Sequence, residues 1–287
     1  MNITIDCIGD PEGLFKRGIR FLINVRGVTL QDEFRLLIAA LIFLLNILFR
    51  FIKLKDNVYN LSYYIPGSNP VRVRYHDENY DVIFIIRPRS GDFYDILGEH
   101  HELNNWLASV LNTTKNAVIV DVGAYIGGYT VRACRRARRV IAIEPLEDAA
   151  FLLRNNIELN GCNNVIIVKK AIWKEKGRVS MKVVKFNEEE SAIDPSGNII
   201  VESDTLDNVM KELGIDHIDF LKIDIEGAEA EAIHGMNETL RITRYLMIEL
   251  RSSTLWVINE LNKLGFKVID CVNYGTFINV FFSNQRL

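Results

Sequence analysis

The sequence predicts an α/β fold, a mostly parallel sheet closed by an antiparallel C-terminal hairpin and preceded by a helical and β extension. Two patterns carry this expectation. From Ala117 onward, short β-branched runs alternate with helical stretches, as in a parallel sheet wrapped by crossover helices. The tail then leaves the alternation: Phe266 to Cys271 and Thr276 to Phe282 are strand-like and joined only by Val272-Asn273-Tyr274-Gly275, so they pair antiparallel.

The buried strands of the main sheet are expected at Val118 to Val122, Val140 to Ile143, Val165 to Val168, Phe220 to Ile223 and Tyr245 to Leu250. Helices fit between them at about 128 to 137, 147 to 160, 227 to 235 and 253 to 264. The stretch from Lys174 to Ser203 is too long for a plain connection and is expected to form a hairpin at the mouth of a site. Three regions follow: residues 1–55, a helical apolar extension; 56–115, accessory strands (Val71 to Tyr75, Asp81 to Arg87) and a helix from about Tyr94 to Leu111; and 116–287, the main domain.

A composition of 48% apolar and 25% charged residues is ordinarily globular. The net charge of −3 gives no field that draws in polynucleotides, so nucleic acid is not expected as a partner. Cys7, Cys134, Cys162 and Cys271 contain no CxxC pair, which argues against a zinc site or a disulfide framework and for a reducing, cytoplasmic setting. No secretory leader is read at the N-terminus. The apolar run from Leu36 to Phe49 is shorter than the roughly 20 residues of a membrane-spanning helix. Gln31, Arg35, Ala39, Asn46, Arg50 and Lys53 fall on one polar stripe of it. The opposite face either packs on the core or a partner, or makes a peripheral membrane contact through residues 31–53.

The strongest chemical signal is Val118-Ile119-Val120-Asp121-Val122-Gly123-Ala124-Tyr125-Ile126-Gly127-Gly128, a buried strand breaking into a glycine-rich turn that opens a helix. Such a turn presents backbone N–H groups to a nucleotide-type cofactor. The dinucleotide fingerprint GxGxxG requires glycine where Tyr125 stands, so a pyrophosphate is not specified. S-adenosylmethionine has none; its aminocarboxylate end can use the turn, with Asp121 near its ammonium. Glu144, ending the second strand 21 residues after Gly123, is placed to accept both ribose hydroxyls. In open α/β sheets ligands bind outside the carboxyl ends of the strands, which puts Asp224, Glu226 in the following turn and Glu249 on the same rim. Asp224 or Glu226 alternatively only caps the next helix. Two rim carboxylates could hold a divalent cation, but no metal ligand is assigned.

These motifs, with Leu153, Asn156, Asn160, Gly161, Asp204-Thr205-Leu206-Asp207 and Leu221-Lys222-Ile223-Asp224-Ile225-Glu226-Gly227-Ala228-Glu229, resemble the FkbM-type methyltransferases over about residues 80–287. Arg87-Pro88-Arg89-Ser90-Gly91-Asp92 is similar to that family's Arg…Ser-Asp stretch. The resemblance implies a Rossmann-like methyltransferase fold and O-methylation of a hydroxyl on a sugar or other secondary metabolite, the small-molecule or glycan acceptor being the partner. Asp121, Gly123, Tyr125, Gly127, Glu144 and Ala171 are then the cofactor-binding candidates, and Asp224, Glu226 and Glu249 the catalytic ones. Tyr125 replaces a common Asn, and Arg251 a common His. A non-catalytic cofactor-binding or membrane-associated scaffold is the competing reading.

Weaker signals have plain explanations. His100 and His101 point about 100° apart on a helix and suit a solvated face better than a metal. Arg132, Arg135, Arg136 and Arg139 follow helical spacing and are expected as an exposed basic stripe. Trp106 and Trp173 are expected to pack.

Overall fold

The computed structural model describes residues 8–9, 23–48, 64–97, 101–183 and 191–287. Its strands are β1 Ile8–Gly9, β2 Val25–Gly27, β3 Val71–His76, β4 Asp81–Ile86, β5 Val118–Val122, β6 Arg139–Ile143, β7 Val165–Val168, β8 Ala171–Ile172, β9 Gly177–Lys182, β10 Ala192–Ile193, β11 Ile199–Asp204, β12 Ile218–Ile223, β13 Thr243–Arg251, β14 Phe266–Asn273 and β15 Phe277–Asn284. The main sheet runs β1-β14-β15-β13-β12-β5-β6-β7. β13, β12, β5, β6 and β7 are parallel, whereas β15 is antiparallel to both β13 and β14. The expected C-terminal hairpin is therefore present, and β15 inserts between β13 and β14.

Alternation along the strands separates two apolar layers. Val118, Val120, Val122, Leu221, Ile223, Leu246, Ile248 and Leu250 pack with the helices Leu206–Glu212 and Val257–Leu264. On the other face, Ile119, Phe220, Met247 and Phe281 pack with the helices His101–Thr113 and Gly128–Cys134. That second face changes character at the carboxyl ends of the strands. Two residues beyond its apolar positions stand Asp121 on β5, Lys222 on β12, Glu249 on β13 and, counting backward on antiparallel β15, Asn279. Register aligns them: Lys222 lies opposite Asp121, and Glu249 opposite Asn279.

The N-terminal sheet, β2-β3-β4, shares a core with the helix Leu30–Leu48 and with the helix Glu147–Leu159 of the main domain. Its edge strand β4 is closed by two asparagines rather than another strand. Ile85 N–H donates to Asn156 Oδ1 at 2.7 Å and Ile83 N–H to Asn160 Oδ1 at 2.9 Å, while Asn160 Nδ2 donates back to Ile83 O at 2.6 Å. The lysine-rich stretch after β8 forms a second sheet, β10-β9-β11-β8, with β9 and β11 antiparallel as the length of the segment suggested; residues 184–190 lie outside the described residues.

Several expectations change. Arg132 is not on an exposed basic stripe: it is 0% exposed, its guanidinium lies 4.7 Å from the Tyr75 ring centroid, and it donates to Gly128 O and Ile96 O. The N-terminal sheet covers that side of the helix, which helical spacing alone does not reveal. Cysteine spacing also misled. Cys134 and Cys162 form a disulfide across 28 residues, with Cα atoms 5.8 Å apart, and Cys271 is disulfide-bonded too. The crossover brings the end of the helix Gly128–Cys134 beside the turn after Glu147–Leu159, so distant cysteines meet, and the cysteine argument for a reducing setting falls. The helix expected from Tyr94 to Leu111 is two helices, Asp92–Leu97 and His101–Thr113; His100 lies outside the described residues, as does the His101 side chain. The helix Leu206–Glu212, capped by the Thr205 side chain on Asn208 N–H, was not expected.

In the helix Leu30–Leu48, the supposed polar stripe is partly buried: Ala39 is 0% exposed, and Arg35 donates to the carbonyls of Pro66, Asn69 and Pro70. Leu30, Phe34, Leu37, Leu41 and Leu45 are exposed instead. Among the described residues no helix is long and apolar enough to cross a membrane, and residues 49–53 of the suggested membrane contact lie outside them. Trp106 packs as expected, stacked on Phe281 at 4.9 Å.

The asparagine closure of β4 is testable. Asn156→Ala leaves the Ile85 N–H without its acceptor and the Ile126 carbonyl without the Asn156 amide, in a buried place. At about 1–3 kcal/mol per orphaned group, urea unfolding should show a loss of at least about 2 kcal/mol. Exposed Glu158→Ala on the same helix should change stability by less than about 0.5 kcal/mol. Equal effects from the two would contradict the closure.

Candidate active site

The carboxyl ends of β5, β6, β12 and β13 open into a cavity of about 670 Å³. Its walls include Gly123, Tyr125, Glu144, Ala171, Asp224, Glu226 and Glu249. Of the nine candidate site residues, these seven come together, and Asp121 and Gly127 stand behind the wall. Met181, Ser191 and Ile193 of the second sheet complete one side, and Thr276 and Phe277 another.

Lys222 organises the floor. Its ammonium, on a side chain only 5% exposed, donates to Gly123 O at 2.9 Å and lies 3.4 Å from Asp224 Oδ2 and 3.6 Å from Asp121 Oδ1. It also stands 5.1 Å from the Tyr129 ring centroid. Burial works to lower the Lys222 pKa, but Asp224, Asp121 and Asp95 outweigh it and hold the pKa above its ordinary value. Burial raises the pKa of Asp121, with Lys222 and a 2.7 Å hydrogen bond from Thr130 opposing it.

The turn after β5 is shaped by close approach. Gly123 has φ +81°, and a Cβ there would lie 1.8 Å from the Asp224 carbonyl oxygen, so the turns after β5 and β12 can touch only at glycine. Gly127 has φ +98° and precedes the helix Gly128–Cys134; a Cβ would lie 2.7 Å from Leu153 Cδ1. Its role in the turn is conformational. Tyr125 also adopts a left-handed backbone, φ +49°. Its hydroxyl donates to Asp92 Oδ1 at 2.5 Å and accepts from Arg87 Nη2 at 2.9 Å, while Arg87 is itself paired with Asp92 at 2.7 Å. The Arg87-to-Asp92 stretch thus anchors the glycine turn from outside.

Glu144 is 5% exposed, and its two oxygens accept from Tyr125 N–H at 2.9 Å and Leu146 N–H at 2.8 Å. Each carboxylate oxygen has a second acceptor site. Burial pushes its pKa up to about 7, against the pull of those backbone donors. Asp95, which accepts from Gly128 N–H at 2.9 Å, is likewise pushed by burial to about 7, with Lys222 and Arg132 opposing.

At the other end of the cavity, Glu226 has φ +57° and accepts from Arg251 Nη2 at 3.0 Å. Glu229 is 1% exposed and committed to Ile225 N–H and Gly227 N–H at 2.9 and 3.2 Å. Glu249 is 4% exposed, and burial, then Asp224, Glu226 and Glu229, push its pKa up to about 10. The following helix, Glu229–Ala232, has Ala228 at its N-cap and no side-chain cap, so neither Asp224 nor Glu226 serves as its cap, and both line the cavity.

Lys222, Asp95, Tyr129 and Arg251 had no assigned role in the sequence reading. Lys222 was detectable as a charge interrupting the buried strand Phe220-Leu221-Lys222-Ile223. Asp95 carried no such signal, because only the tertiary fold brings it to Gly128.

The parallel sheet with one reversed strand and the cavity at the switch between β5 and β12 define a Rossmann-like methyltransferase. Comparison with known proteins agrees: the methyltransferase FkbM domain matches residues 121–268. The chain belongs to the FkbM methyltransferase family, and its cofactor is S-adenosylmethionine. Methyltransferase sdnD of Sordaria araneosa is 25% identical over 165 residues, covering 45% of this chain and 64% of that one. The 2-O-methyltransferase NoeI of Sinorhizobium fredii is 26% identical over 160 residues, covering 48% and 65%. The chain thus spans under two thirds of the length of each of these relatives. Among solved structures, an rRNA methylase from Streptococcus thermophilus superposes with a TM-score of 0.44 at 14% identity, over 64% of this chain and 95% of that one. M. jannaschii TYW2 in complex with AdoMet gives 0.42 at 15% identity, over 76% and 88%.

The residues present fit this cofactor. Asp95, Glu144, Asp224, Glu226 and Glu249 place five carboxyl groups on the cavity wall beside three cations, Lys170, Lys222 and Arg251, so acceptors for the ammonium and the ribose hydroxyls of this cofactor are present. Asp121 Oδ1, buried behind the turn, faces Lys222 at 3.6 Å and accepts no hydrogen bond from the described residues.

The Lys222 arrangement predicts a pH-dependent defect. Lys222→Met leaves Asp121 and Asp224 without their shared cation, a loss of about 3–5 kcal/mol when a buried pair is broken. Asp121 has a raised folded pKa, so it takes up a proton more readily folded than unfolded, and the deficit should shrink as pH falls from 8 to 5. Denaturant unfolding at both pH values checks this, and a deficit that grows toward pH 5 would contradict it.

Proposed function

We propose that the chain is an O-methyltransferase that transfers the methyl group of S-adenosylmethionine to a hydroxyl of a sugar or other small secondary metabolite. The observation that carries this reading is the Asp224 carboxylate on the cavity wall beside the cofactor turn, one oxygen facing Lys222 and the other left for an acceptor. The similarity to a 2-O-methyltransferase supports a hydroxyl acceptor. The volume of about 670 Å³ lies within the roughly 300–1,000 Å³ of small-molecule sites.

Bound there, S-adenosylmethionine supplies an electrophilic methyl group. Glu144 accepts from the ribose hydroxyls through the lone pairs its backbone donors leave free. The turn at Gly123 and Tyr125, with Asp121 behind it, holds the aminocarboxylate end, and Ala171 walls the adenine. Glu144 and Glu249 end strands three spacings apart in the sheet, about 14 Å, so the ribose and acceptor ends of the site are separate. Asp224 orients the acceptor hydroxyl behind the methyl group. An ordinary carboxylate is too weak a base to ionise an alcohol beforehand, so Asp224 takes the proton as the new O–C bond forms and the C–S bond breaks. Glu226 and Glu249 shape the same end. Holding the reactants in line is itself worth roughly 7–11 kcal/mol in well-oriented systems.

Two variants separate binding from chemistry. Glu144→Gln should weaken S-adenosylmethionine about ten- to a hundredfold by calorimetry, as expected for charge-assisted hydrogen bonds. Ribose hydroxyls favour the ionised Glu144, whose pKa is about 7, so wild-type affinity should fall from pH 8 to pH 6 and the variant's dependence should be flatter. Unchanged affinity and an unchanged pH profile would remove Glu144 from the ribose.

Asp224→Asn should bind the cofactor with near-normal affinity and lose about 10²- to 10⁴-fold in turnover, measured by methyl transfer to a panel of glycans and hydroxylated metabolites. Full turnover in the variant would reduce Asp224 to a structural residue. Cofactor binding by the wild type with no transfer to any acceptor is the result a non-catalytic scaffold would give.

A further inference from the structure

The acceptor end of the cavity gathers three carboxyl groups, Asp224, Glu226 and Glu249, beside two cations, Lys222 and Arg251. Asp224 shares Lys222 with Asp121, and Glu226 pairs with Arg251 at 3.0 Å. Glu229 spends its carboxylate on two backbone N–H groups. Glu249 has none of these. It is 4% exposed and lines the cavity, yet no hydrogen bond or ion pair among the described residues reaches its carboxylate. Directly across the β13–β15 ladder stands Asn279, 0% exposed, with neither its side-chain nitrogen nor its oxygen partnered. A buried carboxylate and a buried carboxamide left without partners on one face of two paired strands mark a place built for a polar occupant.

We propose that Asp224, Glu226 and Glu249 hold a hard divalent cation at the acceptor end of the cavity. One oxygen from each lies within 4.8 Å of the others. Oxygens on opposite sides of a cation are separated by twice the bond length, roughly 4.6–5.2 Å for calcium and about 4.2 Å for magnesium. The three carboxylates can therefore close on a calcium- or manganese-sized ion with little movement. All three donors are carboxylate oxygens, with no thiolate or imidazole, which selects hard cations over zinc or copper. Such ions keep part of their hydration shell, which suits a site that opens on the cavity. A cation here would also lower the pKa of an acceptor hydroxyl bound to it, sharing with Asp224 the task of removing its proton.

This last consequence rests on the methyl-transfer reading; the site itself does not, and it is tested by metal alone. Full-length protein is titrated with Mn²⁺ without cofactor or acceptor, bound ion being followed by electron paramagnetic resonance and by equilibrium dialysis. One saturable Mn²⁺ per chain is expected, competed by Ca²⁺. Glu249→Gln and Asp224→Asn should each weaken it at least tenfold, and Glu260→Gln, on the exposed face of the helix Val257–Leu264, should leave it unchanged. The thermal midpoint should rise on adding Mn²⁺ to the wild type and to Glu260→Gln, and rise less for Glu249→Gln, which shows that the variants are folded. No saturable binding, or binding untouched by Glu249→Gln and Asp224→Asn, overturns the site. Methyl transfer that persists in chelator with no Mn²⁺ bound leaves the transferase standing and removes the ion. Mn²⁺ binding without any S-adenosylmethionine binding does the reverse.

Discussion

Lys222 is the interaction on which the site depends. One buried ammonium reaches the carbonyl of Gly123 and the carboxylates of Asp121 and Asp224, so it joins the ends of β5 and β12 where each strand becomes a turn. Those turns are close enough that Gly123 tolerates no side chain against the Asp224 carbonyl. The position of Asp224 in the cavity is therefore fixed from two sides, by backbone contact and by charge. Without the cation, two carboxylates would face each other in a region with little water, and the turns could not remain apposed at neutral pH.

The same face of the sheet explains why polar groups concentrate where they do. Ile119, Phe220, Met247 and Phe281 are apolar layers under the helices, and the next positions outward are Asp121, Lys222, Glu249 and Asn279. The period of the strand places chemistry two residues beyond packing, so the same strands serve both. The carboxyl groups gathered there offer acceptors to a cofactor's ammonium and hydroxyls rather than donors to a pyrophosphate. Tyr125 adds to this: it occupies the place of the second glycine of a dinucleotide turn, and its ring is fastened by Asp92 and Arg87.

Much of this was readable in the residues. The strands between Val118 and Leu250 are mostly apolar runs with turn signals at both ends, and their order and the reversed hairpin followed directly. Seven of the nine candidate site residues meet in one cavity because the carboxyl ends of parallel strands share one rim. What was not readable depends on contacts between segments distant in sequence. Arg132 looked solvent-facing because helical spacing says which residues share a face, not what covers it. Cys134 and Cys162 became neighbours only through the crossover between β6 and β7. The helix Leu206–Glu212 is short, and its start is marked by the Thr205 cap rather than by a long periodic pattern. Asp95 enters the site from a helix upstream of the matched family domain, three residues past the Arg87 to Asp92 stretch, and only the fold brings it to Gly128.

The central claim is that an acidic cavity at the carboxyl ends of β5, β6, β12 and β13 binds a cationic nucleoside cofactor. Isothermal titration of the purified chain with S-adenosylmethionine and, separately, with NAD tests it most directly. The account requires saturable one-to-one binding of S-adenosylmethionine and none of NAD; NAD binding with no uptake of S-adenosylmethionine would contradict it.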